Sequence, residues 1–267
     1  AQEPVGVDAH DGLRIEWAGA DLRIDTGPMQ LDLAADSGGL LRQLTAHGVS
    51  YGDRLGTIQL RQPGGRILES GYGRANVDLE ENGPQRSVIA IRGTHSDAEG
   101  SCLDYVLRLV VYANQPVLRW YYTIENRERS DVELANVQVI QPVDLDPRTS
   151  WAHVGTDSER YAMPEGWVSM TTDRLETRAT DGHRQSGNMN TIRAEVQMEP
   201  FLVVGDDERM VTFLPRWAHF LYPKAAHYYG RALRYDIWPD WADPWVLRRG
   251  MSKTHEFTMR FSPPAES

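Results

Sequence analysis

Apolar and polar residues alternate with a period of two along most of the chain. Leu22-Arg23-Ile24-Asp25 and Met29-Gln30-Leu31-Asp32-Leu33 place apolar side chains on one face and charges on the other. That is the signature of a half-buried β-strand. The pattern returns at Leu40–Leu44, Thr57–Arg61, Arg66–Leu68, Asn76–Leu79 and Arg86–Arg92. Turn residues punctuate it at Ser37-Gly38-Gly39-Leu40, His47-Gly48-Val49, Gln62-Pro63-Gly64-Gly65 and Asn82-Gly83-Pro84, where glycine and proline set the backbone of a tight reversal. The clearest unit is central: a long strand over Leu103–Tyr112, a turn at Asn114-Gln115-Pro116, and a hairpin partner over Val117–Asn126. Further strands are expected over Val132–Ile140, Thr191–Met198, Phe201–Val204, Met210–Leu214 and His255–Phe261. The fold class that follows is all-β, a large sandwich or barrel with very little helix. Only Trp217–Ala226 and Ser186–Asn190 carry a weak helical period.

At 267 residues the chain is long enough for one large β domain with its own core. We place that domain over residues 1–261, with 262–267 as a tail. Residues from Asp146 to Asn190 alternate poorly and read as long loops, which in a compact β domain are more often functional than decorative.

Charge and composition remove several classes. The net charge is −10 and no block of Lys or Arg occurs, so the positive footprint that nucleic acid needs is missing. No run approaches the ~20 apolar residues of a membrane-spanning helix. The single cysteine, Cys102, has no intrachain partner and sits in a strand pattern, as a buried thiol does. The chain starts Ala1-Gln2-Glu3-Pro4 without Met, as either a mature end after signal removal or a trimmed chain does. The expected localisation is therefore secreted or periplasmic, in a bacterium. Oligomeric state leaves no signature.

Candidate chemistry concentrates in Leu214–Phe261, which holds Trp217, Trp238, Trp241 and Trp245 together with both lysines of the chain, Lys224 and Lys253. Amphipathic rings on a surface stack on sugars; buried, they form core. Nucleophile-elbow, phosphate-loop, zinc-protease and dinucleotide motifs are absent. Asp236, Asp240 and Asp243 lie among the tryptophans, so a carboxylate pair for glycoside hydrolysis is one reading; turn-forming Asp-Pro chemistry around Pro239 and Pro244 is the plainer one. β-Elimination from a uronic acid fits the residue types better, since it needs a base for the C5 proton and a cation facing the carboxylate. His219, Lys224, Tyr228 and Arg216 are the catalytic candidates. Trp151, Tyr161, Trp167, His183, Arg184, Trp217, Tyr222, His227, Tyr229, Trp238 and Trp241 are the substrate-binding candidates. No cofactor is expected, and no histidine-based metal site. Calcium is the one candidate ion, through Asp144, Asp146, Asp206, Asp207 and Glu208.

Several segments resemble a known family. They are Asp25-Thr26-Gly27-Pro28, the strand pair LDYVLRLVVYANQPVLRWYYTIEN, Leu221-Tyr222-Pro223-Lys224, Ile237-Trp238-Pro239 and the close Gly250-Met251-Ser252-Lys253-Thr254-His255-Glu256. Together they look like the N-terminal β domain of the exo-rhamnogalacturonan lyase family, the RIFT-barrel proteins. The resemblance implies a β-supersandwich or RIFT-like barrel and an acidic, pectin-like polysaccharide as partner. Members of that family are usually longer, with an α/α-toroid and further β domains. Two other readings stand beside a lyase: a non-catalytic glycan-binding or accessory domain, and a structural domain with no ligand.

Overall fold

Period-two alternation closes into antiparallel sheets whose apolar faces meet in one core. The computed structural model describes residues 12–19, 21–34, 41–73, 75–154, 161–163, 167–171, 175–178, 201–218, 221 and 223–264. Among them there is no helix. A five-stranded meander opens the chain: β1 (Arg14–Ala18), β2 (Asp21–Asp25), β3 (Met29–Ala34), β4 (Leu41–Ala46) and β5 (Val49–Gly52). Next come β6 (Thr57–Arg61), β7 (Ile67–Glu69), β8 (Asn76–Asn82), β9 (Arg86–Asp97), β10 (Gly100–Tyr112) and β11 (Val117–Glu125). They are followed by β12 (Val132–Leu134), β13 (Asn136–Pro142), β14 (Trp151–Val154), β15 (Tyr161–Ala162), β16 (Trp167–Thr171) and β17 (Leu175–Arg178). The last are β18 (Leu202–Gly205), β19 (Met210–Pro215), β20 (Ala225–Tyr229), β21 (Ala232–Trp238), β22 (Trp245–Leu247) and β23 (Ser252–Ser262).

All but seven of these strands form one large sheet, ordered β15-β14-β18-β19-β23-β11-β10-β9-β7-β6-β13-β21-β20-β16-β17, with β8 also paired to β9. The strands β12 and β22 make a separate clip. The central hairpin forms as its alternation requires. Leu107 faces Tyr122 and Leu109 faces Trp120 on the inner side, while Arg108 faces Tyr121 and Val110 faces Arg119 on the outer side. The large sheet is too wide to stay open, and strand twist curls it. The curl brings distant strands together: Phe213 of β19 and Phe257 of β23 lie 5.1 and 5.7 Å from the ring of Tyr235 on β21. Trp120 stacks on Phe257 at 6.2 Å. The small meander packs onto the same core. Its Tyr51 donates its hydroxyl to the Ser262 carbonyl at 2.7 Å and sets its ring edge-on to Phe261.

Two expectations change. The segment 217–226 forms no helix over its described residues: a turn closes with the Leu221 N–H on the Trp217 carbonyl, and β20 begins at Ala225. Pro223 blocks a helix interior there, because it lacks a donor and its ring clashes with the preceding turn. Val132–Ile140 is two strands rather than one. Its first part leaves to pair with β22, and its second joins β6 and β21. The expected strand over Thr191–Met198 lies outside the described residues.

Trp120 is fully buried at the meeting of the inner faces, whereas Trp17 on edge strand β1 is exposed. Truncating Trp120 to Ala is expected to cost ~3–5 kcal/mol through lost burial and the cavity left behind. The Trp17→Ala change is expected to stay within about 0.5 kcal/mol. Urea unfolding midpoints of the two variants check this, and equal shifts would contradict the assignment of the core.

Candidate functional site

The residues singled out in the sequence divide between interior and surface. Lys224 is 3% exposed, and its Nζ donates to the carbonyls of Ile237 at 2.5 Å and Pro223 at 3.2 Å. Burial, with the nearby charge of Lys253, brings its amine down to about 7. Tyr228 is 5% exposed and donates its hydroxyl to the Val143 carbonyl at 3.1 Å; burial pushes it up to about 12. Both were catalytic candidates, and both point into the core, because β20 turns Lys224's neighbours and Tyr228 inward. Lys224 lies beside His255, which is buried on β23 with neither ring nitrogen hydrogen-bonded among the described residues. Burial holds that imidazole down to about 3, and Lys224 and Lys253 add to the effect.

The tryptophans part company as well. Trp238 donates Nε1–H to the Asp243 carbonyl at 2.9 Å and lies 5.8 Å from Trp245, and both pack against the core. Trp245 in turn lies edge-on to His255. By contrast Trp217 and Trp241 are 48% and 49% exposed. Trp217 has φ of 58°, a left-handed backbone that is a genuine outlier for so bulky a residue. The Arg216 guanidinium lies 5.2 Å from its ring, and Arg216 Nη1 donates to both oxygens of Glu256 at 3.0 Å. Trp151, half-buried on β14, packs so closely over Gly205 that a Cβ there would lie 2.6 Å from its ring. Tyr161 and Trp167 are strand residues of β15 and β16. His183, Arg184, His219 and Tyr222 lie outside the described residues.

His227 and Tyr229 alternate with Tyr228 and therefore face outward, where the β20–β21 hairpin sets them against Arg234 and Asp236. His227 Nε2–H donates to Asp236 Oδ2 at 2.8 Å. The other carboxylate oxygen receives Gln138 Nε2 at 2.6 Å and Asn136 Nδ2 at 3.3 Å. Asp236 is buried and His227 is half-buried. A carboxylate oriented by two amides fixes the imidazole's orientation, so that Nδ1 is the nitrogen turned away from the pair. Among the described residues Nδ1 has no hydrogen-bond partner. Arg234 donates to Gln138 Oε1 at 3.0 Å and lies over the Tyr229 ring, 4.3 Å from its centroid. Imidazole, guanidinium and phenol thus share one patch of the outer sheet face.

That face carries a second feature. A groove of about 350 Å³ runs over β9, β10 and β11, lined by Arg86, Arg108, Arg119, Tyr112 and Tyr121. Its signal was present in the alternation, since the polar positions of the central hairpin carry arginine and tyrosine. Of the calcium candidates, Asp206 and Asp144 have protein partners. Asp206 caps its own turn through the amides of Glu208 and Arg209 and also accepts the Asp146 N–H, while Asp144 pairs with Arg54 and Arg231. Among the described residues no group of three or more His, Cys, Asp or Glu is placed to hold a metal ion.

A curled antiparallel sheet of this width defines a class, the large β-sandwich proteins. Comparison with solved structures shows the fold directly. A galactose mutarotase-like protein from Clostridium acetobutylicum matches with TM-score 0.58 at 8% identity, over 94% of this chain and 98% of that one. The GH36 α-galactosidase AgaB from Geobacillus stearothermophilus matches with TM-score 0.57 at 13% identity, over 93% of this chain and 41% of that one. A TPR-domain containing protein from Parabacteroides distasonis matches with TM-score 0.55 at 10% identity, over 91% and 47%. This chain therefore spans less than half the length of the latter two. Residues 13–146 match the family described as the PcRGLX-like protein central beta sandwich domain, and the chain belongs to that family. The sequence resemblance had pointed to the N-terminal domain of the lyases; the matching domain is the central one. No curated protein matches.

The buried bases generate a pH dependence. His95, paired with Tyr122, and His255 are both held down to about 3 by burial, against an ordinary 6.5. Between those values the unfolded chain binds more protons than the folded one, so stability falls as pH drops through the window. Lys224 acts in the same direction higher up, between about 7 and its ordinary 10.5. The melting temperature is expected to climb from about pH 4 to 6.5, and His255→Phe is expected to flatten that climb. An unchanged slope in the variant would contradict it.

Proposed function

We propose that this protein handles an acidic, uronate-bearing glycan and cleaves it by β-elimination on the outer face of β20 and β21. The observation that carries the reading is the His227–Asp236 pair beside Arg234 and Tyr229. In this reading His227 Nδ1 takes the C5 proton of a uronate. The electron pair forms the C4–C5 double bond as the C4–O bond breaks, and the departing oxygen receives a proton from the imidazolium or from water. Arg234 faces the substrate carboxylate, where the enolate charge develops. Tyr229 carries the guanidinium on its ring. Polymeric substrates of this kind lie outside the cytoplasm, and we place the protein there too.

Membership of the PcRGLX-like family and the mutarotase-like fold support a saccharide ligand. A second reading, a non-catalytic glycan-binding module, is favoured by the exposed Trp217 and Trp241. The two readings part in one assay. On rhamnogalacturonan and polygalacturonate, β-elimination raises ultraviolet absorbance as unsaturated uronate forms. His227→Ala and Asp236→Asn are expected to lower kcat by about 10²–10⁴-fold, the contribution of a positioned general base. Wild-type protein that binds the polymers without forming unsaturated product would leave the binding module. Wild-type rates in both variants would remove His227 from the chemistry.

A further inference from the structure

The five-stranded meander has two edges, and they differ. The backbone of β5 is covered, since the Asp144 N–H donates to the Tyr51 carbonyl at 2.9 Å. The open side of β1 carries no backbone hydrogen bond among the described residues. An open edge is a row of donors and acceptors ready to pair with another strand, and proteins usually blunt it with Pro, Lys, a bulge or like charges. The strand β8, which pairs only with β9, shows such a defence: its exposed charges, Asp78, Glu80 and Glu81, are all of one sign. None of these devices is present on β1. It holds no Pro or Lys and pairs with β2 without a bulge. It carries one charge of each sign, Arg14 and Glu16, beside Trp17, which is 57% exposed.

Register turns those charges into a ladder. On the outer face Asp32 of β3, Arg23 of β2 and Glu16 of β1 stand opposite one another in turn, and so do Asp25 of β2 and Arg14 of β1. Sign alternates along both rungs. The ion pairs of this face are Arg23–Asp32 and Arg42–Asp21, and among the described residues Arg14 and Glu16 end their rungs without one. To continue the alternation, an added strand must place a base beyond Glu16 and an acid beyond Arg14.

The strand β1 itself, reversed, supplies both at the right spacing. Two copies paired antiparallel about a twofold axis at Ile15 set Arg14 opposite Glu16 twice over. The inner side follows from the same register. Ile15 meets Ile15, and Trp17 comes opposite Leu13; Leu13 and Ile15 are half-buried against the core. Moving the axis one residue either way sets Glu16 against Glu16 or Arg14 against Arg14, so the charges fix the register.

We propose that β1 is a self-complementary dimerisation edge, through which two copies of this chain join their meanders into one continuous sheet. The occupant is a second copy because the edge matches itself in charge, in apolar pattern and in direction. The β20–β21 patch lies on the other sheet, and the inference is independent of what that patch binds.

Sedimentation equilibrium over a range of protein concentrations tests it. The wild-type mass is expected to rise from 30.2 kDa toward twice that value. Arg14→Glu and Glu16→Arg each put like charges opposite one another on both rungs, and each alone is expected to weaken self-association about tenfold or more. Mixed in equal amounts, the two variants are expected to associate as the wild type does, because every rung between them is again opposite in sign. That rescue separates a pairing contact from a folding defect in either variant. A wild-type protein that stays at 30.2 kDa throughout would leave the edge to another segment of the chain or to a different partner, and would overturn the proposal. Single variants that associate like the wild type, or a mixture no tighter than its parts, would overturn it equally.

Discussion

The contact between inner faces of one curled sheet is the constraint on which the rest of the structure depends. Phe213 and Phe257 on one limb meet Tyr235 on the other, with Trp120 stacked beneath. A sheet of this width has two long faces, and only one can be dry. By curling on itself it commits most of its described apolar positions to the interior and turns alternate residues outward. The outer face is therefore a largely polar surface carried on a rigid scaffold. Side chains placed there by strand register stay where register puts them, which is what a binding or catalytic constellation needs.

The same closure explains which polar residues were taken inside. Lys224, His255 and His95 are all buried, and burial holds each in its neutral form or pushes it that way. Lys224 satisfies its donors on the Ile237 and Pro223 carbonyls, and so ties the approach to β20 to the end of β21. All three are enclosed by the fold, while His227, Arg234 and Tyr229 face outward. Neighbouring residues on one strand, Tyr228 and His227, end on opposite sides of the protein wall for no reason beyond the pleat.

Much of the fold was legible because alternation in β2, β3, β10, β11 and β23 is clean and their turns carry Gly, Pro and Asn. The site was less legible. Tryptophan content alone does not separate a packed pair such as Trp238 and Trp245 from exposed rings such as Trp217 and Trp241, since all four sit in turn-rich sequence. His227 and Asp236 are nine residues apart, and only the hairpin at Gly230-Arg231 brings them together. The groove needs three strands in register, so Arg86, Arg108 and Arg119 look like ordinary surface charges until β9, β10 and β11 are aligned. The split of Val132–Ile140 depends on β22, more than a hundred residues later, and no local pattern contains it.

The most direct test of this account is amide chemical-shift mapping with labelled protein as a galacturonate oligosaccharide is added. The account predicts shifts on the outward positions of β20 and β21, with the five-stranded meander silent. Shifts confined to the meander, or none at saturating sugar, would contradict the claim that the outer face of the curled sheet is where this protein meets its ligand.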